Sequence, residues 1–136
     1  MKIVYLASTS SLGPASRYRI YQFQKYFEEA QIDLEILPAL PDAWLRAEQK
    51  SGLSRRCARI GAGIHGLMRR IKQMAALNAA QLVIIEREVF PKLPNQLEKW
   101  LLPHGCRYGV ELDDAIYLSP GREQKYPQFL KRSAFV

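Results

Sequence analysis

An open parallel sheet with helices on both faces is the fold class predicted by three features of the chain. Four short, mainly apolar runs, KIVYLA (2–7), IDLEIL (32–37), QLVII (81–85) and RYGVEL (107–112), have the composition of strands covered on both sides. Stretches of helical length and pattern separate them, which implies βαβ units joined by right-handed crossovers. Polar clusters follow three of the runs: the Ser/Gly-rich loop 8–16, Glu86-Arg87-Glu88, and Asp113-Asp114. Ligands of open parallel sheets sit beyond the carboxyl ends of the strands, so these clusters form the candidate site. The chain, 1–136, reads as one α/β domain with a Rossmann-like sheet.

The first strand leads into a loop of Ser, Thr, Gly, Pro and Ala, where the backbone can turn tightly and a ligand can come close. A helix follows, with Ile20, Phe23, Phe27 and Ala30 as its core-facing stripe. Its first turn is read as holding Arg17 and Arg19, cations that oppose the macrodipole at about 0.3–1 kcal/mol each. An anion held by free backbone N–H groups and these guanidiniums, or a carboxylate partner, would offset that cost; otherwise both side chains point sideways into solvent. Pro38 stops the second strand, and Asp42 to Lys50 is predicted as a short helix with Trp44 and Leu45 inward. From Ser54 to about Ala80 the pattern predicts an amphipathic basic helix. Ile60, Ile64, Leu67, Ile71 and Met74 or Ala75 share one arc, and Arg55, Arg59, Arg69, Arg70 and Lys72 fall mostly on the other. Pro94 fits the first position of a further helix carrying Leu97, Trp100 and Leu101, and Tyr126 to Phe135 reads as the start of a last one.

Twenty Lys and Arg against 13 Asp and Glu leave a formal charge of +7, which favours nucleotide, nucleic acid or an anionic membrane face as partner. No apolar run approaches the roughly 20 residues needed to span a bilayer, and no signal-peptide pattern follows the Met-Lys start. The expected location is cytoplasmic, peripheral on the inner membrane face if the basic helix engages lipid. Cys57 and Cys106 are isolated thiols without ligand spacing, so neither a disulfide framework nor a metal site is expected.

Gly61-Ala62-Gly63-Ile64-His65-Gly66 spells a dinucleotide-binding fingerprint, but that motif must follow a strand and open a helix. Here it lies inside the long amphipathic segment, where glycines allow close packing or a bend, at roughly 1 kcal/mol each against alanine. His65 reads as a polar-face or interface residue. The basic helix reads as a solvated face or as an interfacial contact with anionic lipid. Nucleic acid is disfavoured, because no aromatics interleave the basic run and no common recognition signature is present. One of Asp113 and Asp114 can cap the next turn, or one can orient a substrate hydroxyl or pair with Arg17 or Arg87. Glu86 and Glu88 read most simply as local ion-pair partners of Arg87.

Three stretches together carry a likeness: KIVYLASTSSLGPASRYRI, LVIIEREVFP and RYGVELDDAIYL. In order and spacing the chain resembles the N-terminal domain of GT-B glycosyltransferases of the retaining group 1 type, family four. The resemblance implies the acceptor-side half of a two-domain enzyme, with a nucleotide-sugar donor in the interdomain cleft and no separate cofactor or essential metal. Gly13 and Arg17, with Arg19 beside them, would then meet the diphosphate, and Arg17 would offset charge on the leaving group. Arg87, Asp113 and Asp114 would position the hydroxyl of a carbohydrate or lipid-linked acceptor, with Glu88 and Glu111 beside it. Glu111 stands where the family more often has aspartate. The resemblance also implies a C-terminal Rossmann-like partner domain that these residues do not include, so a fragment is expected. The alternative is a non-catalytic module that binds nucleotide or docks on an anionic membrane.

Overall fold

Strands β1 (Lys2–Leu6), β2 (Asp33–Ile36), β3 (Leu82–Glu86) and β4 (Tyr108–Glu111) make one sheet in the order β2-β1-β3-β4. All pairings are parallel, with Tyr5 opposite Ile36, Leu6 opposite Ile85, and Glu86 opposite Glu111. The computed structural model describes residues 1–47, 49, 51–90, 102–103, 105–112, 127 and 130–135. The expected helix at Pro94 and the Asp113-Asp114 turn lie outside the described residues.

Alternation along the strands divides the interior into two layers. Val4, Leu6, Val83, Ile85 and Val110 pack with Met74 and Leu77, whereas Tyr5 and Ala7 pack with Ile20, Phe27, Leu34, Ile36 and Ile84. Helices therefore cover both faces, as the doubly apolar runs require. On the first face lie α4 (Gly52–Gln73) and the 3-10 turn Met74–Ala79 that continues it. On the second lie α1 (Pro14–Arg19), the 3-10 turn Tyr21–Phe23 and α2 (Gln24–Glu29). The short α3 (Asp42–Ala47) packs against α4.

Three expectations need correction. The first helix starts at Pro14, whose missing N–H suits the first helical position, so Arg17 and Arg19 fall in its last turn. There the dipole favours cations, and the argument for a compensating anion loses its premise. The helix also breaks at Ile20 within an aromatic-rich stretch of modest helix propensity, leaving Phe23 42% exposed and Ala30 exposed. At the other end of the chain, residues 131–135 do not continue a helix. Phe135 bridges in parallel to Gly109 of β4, with Ala134 N–H donating to the Tyr108 carbonyl at 2.7 Å and Val110 N–H to that of Phe135 at 3.1 Å. A Cβ on Gly109 would lie 2.2 Å from the Phe135 ring, so the bridge needs that glycine.

The third correction concerns the rotation of α4. Ala62, Gly66 and Arg70, one turn apart, are its buried residues, whereas Ile60, Ile64 and Ile71 face solvent. Arg70 is 1% exposed and does not belong to the surface basic face. Its guanidinium donates to the carbonyls of Ala7 at 2.6 Å and Leu37 at 2.8 Å and to Gln73 Oε1 at 3.1 Å. Gln73 in turn donates to the Pro38 carbonyl at 3.0 Å. The fork thus satisfies backbone acceptors where β1 and β2 end. Burial lowers the Arg70 pKa to about 9 against the favourable field of Glu86, so the group stays charged at neutral pH. Arg70→Ala, which strips a partner from a buried charged network, is expected to cost about 3–5 kcal/mol in urea unfolding. Arg70→Lys keeps a charge without the planar fork and should lose at least half as much.

Candidate functional site

Because β2 and β3 flank β1 on opposite sides, the strand order reverses at β1, and a crevice is expected between the carboxyl ends of β1 and β3. Glu86, the last residue of β3, stands there and is fully buried. Its Oε2 accepts from Ser16 Oγ at 2.8 Å and from the Ser8 N–H at 3.2 Å. Ser16, also fully buried, further accepts from the Thr9 N–H at 3.2 Å, and its hydroxyl lies 3.0 Å from that of Thr9. Glu86 Oε1 is buried with no hydrogen-bond partner among the described residues. A carboxylate oxygen in that state costs about 1–3 kcal/mol or more. Glu86 and Glu88, read as local ion-pair partners of Arg87, are both buried, Glu88 being 4% exposed.

Between them Arg87 adopts φ +65°, and Glu88 N–H donates to the Glu86 carbonyl at 2.8 Å. This is the strained three-residue turn, and a left-handed conformation costs an L-residue roughly 1–2 kcal/mol. Arg87 N–H donates to the Glu111 carbonyl at 2.9 Å, which fixes the turn to the end of β4. Strain of this kind gathers at sites where the surrounding structure over-determines the backbone.

The other expected site residues divide between rim and sheet face. Gly13 is buried under Thr9, and a Cβ there would fall 1.9 Å from Thr9 Oγ1. The loop therefore needs glycine for its own packing, and Ser10 ties it to α3 by donating to Asp42 Oδ1 at 2.5 Å. Arg17 is exposed, with its guanidinium 5.0 Å from the ring centre of its neighbour Tyr18. Arg19 and Glu111 meet each other: Nη1 lies 3.4 Å from Oε1, and the Tyr5 hydroxyl donates to Glu111 Oε2. This group floors a largely apolar groove of about 690 Å³ walled by Phe23, Tyr26, Phe27, Leu112 and Phe135. The structure thus joins the first loop, the Glu86-Arg87-Glu88 turn and the end of β4 along one edge. Asp113 and Asp114 lie outside the described residues.

Sequence reasoning placed the 8–16 loop and Glu86 among the candidate clusters but did not pair Ser8 and Ser16 with Glu86, the tightest part of this edge. Part of the signal was present, since a carboxylate closing an apolar run, QLVIIE, must find donors when buried, but nothing local in the sequence names the serines as those donors. Among the described residues no group of His, Cys, Asp or Glu could hold a metal ion. The Gly61–Gly66 motif is helical throughout, with Gly66 pressed to the Ala39 carbonyl, where a Cβ would lie 3.1 Å away. No protein-family model, no curated protein and no solved structure matches the chain.

Two outcomes follow. Arg87→Gly and Arg87→Ala remove the same side-chain interactions but differ in backbone preference, so the glycine variant should be the more stable by about 1 kcal/mol in thermal or urea unfolding. Burial first, and then the hydrogen bond to Glu111, raise the Tyr5 pKa well above its ordinary 10.0. The folded chain then keeps a phenol proton that the unfolded chain gives up above pH 10, so stability falls as pH rises. Tyr5 contributes about 1.4 kcal/mol of that loss by pH 11. The Tyr5→Phe variant should show a flatter decline between pH 9 and pH 11 in urea titrations.

Proposed function

We propose that this domain is the acceptor-side half of a nucleotide-sugar-dependent glycosyltransferase, transferring a sugar to a hydroxyl acceptor with retention at an interdomain cleft. The observation that carries the reading is the junction at the strand-order reversal, where Glu86 binds Ser8 and Ser16 and Arg87 binds the end of β4. The described polar ends of the three stretches that resemble the glycosyltransferase family, at residues 8–16, 86–88 and 111, therefore lie along one edge, as a cleft-facing rim requires.

Within this proposal Arg17, exposed beside the Gly13 loop, meets the diphosphate and offsets charge as the sugar–phosphate bond breaks. Arg87, held in a strained turn, and the acids Asp113 and Asp114 orient the acceptor hydroxyl, whose oxygen bonds the anomeric carbon while its proton passes to the departing diphosphate oxygen. Arg19 and Glu111 act as a pair at the end of β4, and Glu88 supports Arg87 from the buried side. The apolar groove next to Glu111 suits an acceptor with a lipid portion. The donor's base and ribose belong to the partner domain, so this half by itself binds nucleotide weakly and turns over little.

The test is NMR titration of the isotopically labelled chain with UDP, GDP and ADP. Shifts at Gly13, Arg17 and Glu88 with a Kd of about 1 mM for one nucleotide are expected, and Arg17→Ala should weaken binding about tenfold. A chain whose rim resonances stay unmoved by all three diphosphates at millimolar concentration does not serve this reaction.

A further inference from the structure

The face that α4 turns to solvent has the wrong composition for water. Leu53, Ile60, Ile64, Met68 and Ile71 are 76%, 57%, 60%, 53% and 41% exposed, and at about 100° per residue they fall on one arc with Cys57. Leu53 to Ile71 is a continuous apolar stripe about 27 Å long. The same helix carries Arg55, Arg56, Arg59, Arg69, Arg70 and Lys72 and no carboxylate. With Arg70 buried, Arg56 and Lys72 flank the stripe, about 80° to either side of it, while Arg55, Arg59 and Arg69 fall farther round the helix. A helix made only for solvent normally mixes both signs of charge, which stabilises it through pairs one turn apart. At its N-terminal half the stripe borders a groove of about 690 Å³ between α3 and α4, lined by Trp44, Arg55, Arg56 and Arg59. The Arg59 guanidinium stacks on Trp44 at 4.7 Å, leaving the edges of its fork for an anion.

From this surface we infer that α4 docks on an anionic lipid bilayer, with its apolar stripe in the headgroup and acyl boundary and the flanking Arg56 and Lys72 on lipid phosphates. Charge selects this occupant over a second copy of the chain. An isologous contact through α4 would bring two basic helices together with no acid on either. A bilayer supplies both a negative surface and an apolar layer, the pair of properties that the stripe and its flanks complement. No helix among the described residues is long and apolar enough to cross a membrane, so the helix lies in the plane of the interface. The inference stands on α4 alone and does not depend on the glycosyl-transfer proposal.

Vesicle flotation tests it with the 136-residue chain and phosphatidylcholine vesicles, either plain or with about a third phosphatidylglycerol. Partitioning is expected to be at least about tenfold stronger with the anionic lipid, and to fall about tenfold between about 50 mM and about 500 mM salt. Ile60→Glu/Ile64→Glu should abolish it without lowering the thermal midpoint, since both side chains already face water. A nitroxide on Cys57 of a Cys106→Ser variant reports depth: on binding, its relaxation by oxygen should rise and that by a water-soluble nickel chelate should fall. The inference is overturned if the folded chain stays off anionic vesicles, if the glutamate pair binds as well as the parent, or if the Cys57 label stays in water. It is overturned equally if the chain self-associates through a contact that the glutamate pair abolishes and then ignores lipid.

Discussion

One buried guanidinium sets the arrangement of the domain. Arg70 reaches from α4 to the last carbonyls of β1 and β2, and only small residues, Ala62 and Gly66, let the helix approach closely enough for that reach. The charge is tolerable because its hydrogen bonds are mostly made and Glu86 supplies an opposing field. Glu86 in turn holds Ser8 and Ser16 and so the first loop and α1. A single charge relation thus ties helices on both faces to the central strands. Among the described residues Arg70 Nε and Glu86 Oε1 have no hydrogen-bond partner, so within them the network is incompletely satisfied.

That relation explains which parts of the fold were legible in the sequence. The strands were, because a run such as LVII suits a strand buried on both faces, and the observed bounds differ from the expected ones by about a residue. The rotation of α4 was not. Periodicity identifies residues that share an arc but not the direction in which the arc points. When the inward arc is Ala, Gly and Arg, the apolar moment points away from the core. The start of α1 was legible in Pro14, yet the serine-rich segment around it reads as loop by composition. At the site, the order of the polar stretches implied a shared edge. The donors that Glu86 needed could not be assigned, because Ser8 and Ser16 lie 78 and 70 residues from it in the chain and only the parallel pairing of β1 with β3 brings them near.

The edge itself is organised by depth. Glu86 and Glu88 are buried, Glu111 is half-buried against Tyr5 and Arg19, and Arg17 is in solvent. Charge at the rim is therefore graded from buried to exposed. The inner groups are held by packing and hydrogen bonds, and the outer arginine lies in solvent against Tyr18. The strained Arg87 turn sits between these zones, anchored to β4 on one side and to its own strand on the other. A rim built this way is set before any ligand arrives, which spares the ordering cost that a loose loop would incur on binding.

The Gly109–Phe135 bridge bears on how the sheet meets other molecules. An outer strand offers unpaired amide and carbonyl groups on which a foreign strand can template itself. Along part of β4 those groups are occupied by the protein's own residues 134 and 135, under a ring that only a glycine admits. The opposite border, β2, is defended differently, by the acidic pair Asp33 and Glu35, with Lys2 bound to Glu35 at 3.0 Å. One border is thus shielded by covalent proximity and the other by charge. Trimming the last few residues would strip the first shield and leave the second intact, so fibrillar association would begin at β4.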